Sequence, residues 1–279
     1  MALNSINTNV GAMYALQNLN STNFQLDLTQ TRLNTGKKIS SAKDNGAVWA
    51  IAQNQRSDLS ALDVVTDSLN RGRGSLDVAM SAGASISDLL NQMKAKALAA
   101  SDVTLNSSSR GALNEEFKSL RDQISKTVSN ANFNGTNLLK TAASSLYALA
   151  DATGLGKLTA QAQIMGLGAA GSVISIAATA SFDTATTAAA MLTALEQSIV
   201  NVNSAVARLG TVARAFDQHA TFVAKLADAM TAGIGNLVDT DVAKESATLQ
   251  ALQTKQQLGI QALSIANKAP QSVLSLFQQ

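Results

Sequence analysis

No cysteine occurs in the 279 residues, which excludes a disulfide framework and any thiolate-bound metal. The single proline, Pro270, leaves almost the whole chain free of helix breakers of that kind. Aromatic residues are only 4% of the sequence, few for a thick globular core. Ala, Ser, Thr, Asn, Gln and Leu take their place, a composition suited to long helices packed on one another. The net charge of +2 gives no strong field towards nucleic acid or an anionic membrane. Charge is scarce at the ends: residues 1–31 hold Asp27 alone, and residues 246–279 hold Lys255 and Lys268. The opening MALNSINTNV lacks the basic and apolar regions of a secretory signal peptide, so export, if it occurs, is expected by another route. The uncharged run between Lys157 and Asp183 carries Gln161, Gln163, Ser172, Ser175 and Thr179, too polar for a spanning helix.

What is present is apolar spacing of alternating threes and fours, the seam of a coiled coil. It runs through Leu3, Ile6, Val10 and Met13, then through Leu59, Leu62, Val65, Leu69, Gly72, Leu76, Met80, Gly83, Ile86, Leu90 and Met93. The second run, about 48–103, predicts a helix roughly 80 Å long at 1.5 Å per residue. Leu113, Phe117, Leu120, Ile124 and Val128 predict a shorter helix after the turn-forming TLNSSSRG at 104–111. The longest seam is in the second half, from Leu192 through Leu195, Ile199, Val202, Phe216, His219 and Val223 to Leu237. VDTD at 238–241 breaks it and offers Asp239 or Asp241 as the N-cap of a last helix. The middle is glycine-punctuated, and Leu146–Ala150 and Leu158–Ile164 predict two strands joined across 151–157. The expected fold is mainly α: a long antiparallel helical hairpin of coiled-coil rods, with paired terminal helices and a small β-containing middle.

Between the first two helical patterns sits NTGKKISSAKDNGA, residues 34–47, an elbow rich in turn formers and lysine. A chain that folds back in its middle places residue i opposite about 280 minus i, and so the elbow opposite about 233–246. Charge agrees with that register. Residues 32–44, with Arg32, Lys37, Lys38, Lys43 and Asp44, sum to +3. Residues 228–245, with Asp228, Asp239, Asp241, Lys244 and Glu245, sum to −3. The charge-poor ends admit two readings. They pair with each other as the tip of a stable monomer, or their faces of Asn, Gln, Ser and Thr are covered by copies of the same chain.

Motifs that suggest chemistry have plainer readings. GLGAAG at 166–171 fits a dinucleotide-loop pattern, but it is preceded by QAQIM rather than a clear strand and lacks the acidic residue about 20 positions on. It reads as a glycine-rich loop. His219, the only histidine, lies on a helical seam without a partner Cys or a carboxylate at metal-ligand spacing, and reads as a packed interhelical residue. No nucleophile–base pair stands out, so neither an enzyme nor a cofactor is expected.

LNTGKKISSAKDNGAVWAIA (33–52) resembles the elbow of bacterial flagellins. MALNSINTN is similar to that family's start, NFNGTNLL (132–139) to its motif at the edge of the variable middle, and 245–277 to its C-terminal signature. The chain thus resembles a short flagellin of the alphaproteobacterial kind. The resemblance implies three parts: an inner domain from 1–33 and 246–279, a helical rod domain from 34–139 and 187–245, and a short variable outer segment at 140–186. Leu3, Ile6, Val10, Met13, Leu249, Leu252, Ile260, Leu263, Leu274 and Phe277 would pack the inner layer of a hollow filament. The implied partners are copies of itself or sibling flagellins, hook-associated, junction and cap proteins, the flagellar export apparatus and a cytosolic chaperone, with neither nucleic acid nor membrane among them. The implied location is the extracellular filament. A hook–filament junction protein is the alternative.

Overall fold

The computed structural model describes residues 8–276, with side chains to residue 268. Its elements are α1 (Val10–Thr35), α2 (Gly46–Ala100), α3 (Ser107–Asn130), β1 (Leu146–Leu149), β2 (Lys157–Ala160), α4 (Ala185–Val238) and α5 (Val242–Leu276). The chain divides into two compact units, Met1–Ser57 with Ala229–Gln279, and Asp58–Asp228.

Helix ends follow local chemistry. Asn9 caps α1, its Oδ1 accepting from Ala12 N at 3.0 Å. Gly36 ends the helix in the left-handed region at φ 67°, which only glycine adopts without cost. Asn45 Oδ1 accepts from Val48 N at 3.1 Å at the start of α2. Asn106 caps α3 in the same way. Of the two candidate caps for α5, Asp241 serves: its Oδ1 accepts from Ala243 N at 2.9 Å and Lys244 N at 3.1 Å.

The core of the unit Asp58–Asp228 is the seam. Leu62, Leu69, Leu76, Gly83, Leu90 and Ala97 are buried at strict seven-residue spacing along α2, and Val65, Gly72, Ala79, Ile86, Met93 and Ala100 form a second buried row. The row passes through Ala79, whereas the apolar pattern of the sequence places Met80 in it, and Met80 is half-buried. Three-four alternation from Leu76 to Gly83 lands on residue 79, so position outranks side-chain size here. On α4 the buried row is Ala188, Leu195, Val202, Leu209, Phe216 and Val223. The helices run antiparallel, tied by Arg73–Asp217 at 2.6 Å, Ser87–Asn203 at 2.9 Å and Lys94–Glu196 at 2.9 Å.

These partner numbers sum to 290, not 280. In the terminal unit Asn9–Ala266, Asn23–Gln256 and Arg32–Glu245 sum to between 275 and 279. Part of the shift arises because ten residues, 36–45, lie between α1 and α2, while only three, 239–241, lie between α4 and α5. A uniform fold-back count ignores that difference in loop length.

Glycines in the α2 seam let α4 approach. A Cβ on Gly72 would lie 2.5 Å from Phe216 Cε1, and one on Gly83 would lie 2.6 Å from Val206 Cγ2. Gly72→Ala gains about 1 kcal/mol of helix propensity but overpacks the seam at about 1–3 kcal/mol. Net destabilisation in a denaturant titration is therefore expected, with Phe216→Leu in the same chain restoring stability. A more stable single variant would contradict this packing.

β1 and β2 pair antiparallel, Leu146 opposite Ala160 and Leu149 opposite Lys157, shorter than the sequence pattern but in the expected place. The rest of the middle is irregular, and side chains on the helices satisfy its backbone. Asn114 Oδ1 accepts from Phe182 N at 3.0 Å, and Arg121 Nη1 donates to Ala180 O at 2.9 Å. Ser198 Oγ accepts from Ser175 N at 3.0 Å, Asn201 Nδ2 donates to Val173 O at 3.1 Å, and Ser68 Oγ accepts from Leu149 N at 3.0 Å. Phe117 and Phe182 meet edge to face, centroids 5.0 Å apart. His219 donates from Nε2 to Ala150 O at 2.7 Å, fixing its tautomer at the hairpin's end.

Candidate assembly surface

Helices α1 and α5 pack on each other through one narrow face. Leu26 and Leu252 are buried there with Thr22 and Thr29, and Gln256 Nε2 donates to Asn23 Oδ1 at 2.7 Å. Near the open end of the pair Asn9 Nδ2 donates to Ala266 O at 2.7 Å. Hydroxyls on both helices turn back to their own carbonyls: Thr22 to Asn18, Thr31 to Asp27, Thr248 to Lys244 and Thr254 to Gln250. Such side chains bring their own acceptors, so covering them leaves no unpaired donor.

The outer faces remain apolar and open. Val10 is 50% exposed, Met13 62%, Phe24 71% and Ile265 70%. Tyr14, Leu16, Leu258 and Ile260 are exposed as well. Of the residues that the sequence assigned to the inner layer, Leu252 is buried between the helices, Leu249 and Leu263 are half-buried, and Val10, Met13 and Ile260 face outwards. Leu3, Ile6, Leu274 and Phe277 lie outside the residues whose side chains are described. Sequence reasoning passed over Phe24 and Ile265, although Phe24 continues the three-four spacing of Val10 and Met13 through Gln17 and Asn20.

The elbow is joined to the α4–α5 break mainly by backbone. Lys37 and Asp239 form a β-bridge, Lys38 N donates to Val238 O at 2.8 Å, and Thr240 N donates to Gly36 O at 3.0 Å. Beside this join one ion pair among the described residues links the end of α1 to the start of α5: Arg32 Nη1 to Glu245 Oε1, 3.3 Å, with Glu245 Oε1 also accepting from Thr240 Oγ1. Asp241 is occupied as a helix cap. Lys38, Lys43 and Asp239 are exposed. Asp44 folds back into the elbow, its Oδ2 accepting from Ser40 N and Ser41 N at 2.9 Å each. An open cleft of about 740 Å³ lies here, with Leu28, Ile39 and Leu252 among the apolar side chains and Arg32, Asp44, Lys244 and Glu245 among the charged ones.

Hydrogen bonds from the Ser41 and Ser40 amides, then from the Ser40 hydroxyl, hold the Asp44 carboxyl below its ordinary range. A depressed carboxylate stabilises the fold above its unfolded pKa, about 4, and that contribution is lost as pH falls through the lower folded value. Acid should therefore loosen the elbow. Fluorescence of the half-buried Trp49 should change below about pH 4, and Asp44→Asn should show part of that change at neutral pH. A Trp49 signal that is the same in Asp44→Asn as in the native chain at neutral pH, and that stays flat in acid until the whole chain unfolds, would contradict the clamp.

The elements just described coincide with two family models. Residues 6–144 match the bacterial flagellin N-terminal helical region, and residues 192–277 match the bacterial flagellin C-terminal helical region. Flagellin FljM of Caulobacter vibrioides is 53% identical over 278 residues, covering all of both chains. Flagellin FljK of the same organism is 52% identical over 278 residues, again over the full length of each. A flagellin of Brucella melitensis biotype 1 is 38% identical over 283 residues, covering 98% of this chain and 99% of that one. Models at both ends and full-length similarity to named relatives place the chain in the bacterial flagellin family.

Proposed function

We propose that the chain is the structural subunit of a flagellar filament and polymerises through the outer faces of α1 and α5. The observation that carries this reading is the row of large apolar side chains left open on a charge-poor helix pair. An ordinary surface helix presents charge to water. Here Met13, Phe24 and Ile265 stand in water instead, and each contributes roughly 1.5–3 kcal/mol when a second subunit covers it. Full-length similarity to chains named as flagellins favours the filament subunit over a junction protein.

In this reading 1–33 and 246–279 form the inner layer, with Leu249, Leu252 and Leu263 holding the pair together and Val10, Met13 and Ile260 meeting neighbours. Residues 34–139 and 187–245 form the rod layer and 140–186 the outer segment. The elbow lets the chain change axis between layers, held by its backbone bridge and by Arg32–Glu245. Export through the flagellar type III route, a chaperone on the unassembled ends, cap and junction proteins at the filament tips, a location outside the cell and a role in swimming all follow from the filament reading. The test is seeded assembly of the purified chain followed by negative-stain electron microscopy. Long hollow filaments are expected; soluble subunits only, in precipitant salt with seeds present, would overturn the assignment.

A further inference from the structure

The dipeptide Asn-Gly occurs twice, at Asn45–Gly46 in the elbow and at Asn134–Gly135 after α3. Asn-Gly is the sequence in which the following backbone nitrogen most readily attacks the side-chain amide, because glycine has no Cβ to hinder the approach. The same chemistry thus sits in two environments of one chain.

At the second site the nucleophile is engaged. Gly135 N donates to Asn132 Oδ1 at 2.9 Å. The turn is closed on both sides, Phe133 N to Thr136 O and Thr136 N to Phe133 O, each 2.9 Å. Asn134 and Gly135 both have positive φ, 49° and 82°, the signature of a tight two-residue turn. Attack requires Gly135 N to lose its proton, which breaks the bond to Asn132, and requires the turn to open. At the first site Gly46 is the first residue of α2, and its N–H has no acceptor among the described residues, as expected of a first helical amide. Only the exposed bond from Val48 N to Asn45 Oδ1 restrains the side chain. Asn45 and Gly46 are both exposed.

We propose that Asn45 is a spontaneous deamidation site of the folded chain and that Asn132 shields the identical dipeptide at Asn134. The deprotonated Gly46 nitrogen bonds to Asn45 Cγ, the Cγ–Nδ2 bond breaks, and ammonia leaves with the displaced proton. Solvent water then opens the succinimide at either carbonyl, giving aspartate or isoaspartate, with no change in oxidation state. Aspartate adds a negative charge at the start of α2, where the helix dipole favours it. Isoaspartate adds one methylene to the backbone where the elbow enters α2. The inference is independent of the filament reading, since it concerns the unassembled chain.

The experiment is ageing of the full-length chain at mildly alkaline pH, with peptide mapping for the one-dalton mass gain and an isoaspartate-specific methyl-transfer assay. In the folded chain Asn45 should convert severalfold faster than Asn134; in denaturant the two should converge. Asn132→Ala should raise the Asn134 rate about fivefold, the factor one ordinary hydrogen bond is worth, and leave Asn45 unchanged. Asn132→Asp, which keeps an acceptor, should retain protection and separates shielding from general loosening of the turn. Gly46→Ala, whose Cβ meets nothing within 4 Å, should silence Asn45 alone. Equal rates at the two sites in the folded chain, or an Asn134 rate unmoved by Asn132→Ala, would overturn the proposal.

Discussion

Phe24→Asp should abolish filament growth and leave the subunit's helix content and thermal unfolding unchanged. The side chain is 71% exposed in the isolated chain, so the fold gains nothing from it. In a polymer its burial contributes roughly 2–3 kcal/mol, and a carboxylate in its place adds a desolvation cost. A loss of about 3 kcal/mol per subunit contact raises the critical concentration by about a hundredfold. Ile265→Asp on α5 should behave in the same way. Leu252→Asp is the control, because Leu252 is buried between α1 and α5 and its loss should unfold the terminal pair itself. Normal filament yield from Phe24→Asp would show that this face of α1 stays in water.

The second large effect lies in the other unit. Arg110 is buried, and its guanidinium donates to three carbonyls: Nε to Ala100 O at 2.9 Å, and Nη2 to Asp102 O at 2.9 Å and Leu105 O at 3.0 Å. Ala100 ends α2, so the cation answers the orphan carbonyls and negative end of the helix dipole. Arg110→Ala leaves Ala100 O and Leu105 O without this donor, while Asp102 O keeps only the Leu105 N–H at 3.3 Å, and should cost about 3 kcal/mol in denaturant unfolding. Arg110→Lys should recover only part, because a point charge does not reproduce a planar fork. A loss under about 1 kcal/mol, the scale of an exposed pair, would mean the turn is held by something else.

The helical framework was legible because it is periodic. Three-four spacing located both long helices, and turn chemistry located the elbow, the α2–α3 break, the α5 cap and the small hairpin. Single polar side chains carry no such period. Nothing in the pattern marked Arg110 as buried, or Asn114 as the acceptor that holds Phe182 N, because each acts through one local geometry. Asn137 lay inside a motif already noted, yet its role, bonding Val128 O at 2.7 Å and accepting from Leu139 N at 2.8 Å, needed the fold. Charge complementarity pointed to the elbow's partner segment, but the join there is largely backbone, and Asp44 and Asp241 serve local turns and caps. Net charge reports which segments attract and leaves open which atoms meet.

Hydroxyl-radical footprinting of subunit against polymer reads the outer faces of α1 and α5 side chain by side chain. Met13, Tyr14, Phe24, Leu258 and Ile265 are all exposed in the subunit. Strong labelling of these five is expected in the free chain and loss of labelling on assembly, while Leu155, 85% exposed at the hairpin turn, stays labelled in both. Equal labelling of Met13 and Phe24 before and after filaments form would contradict that expectation.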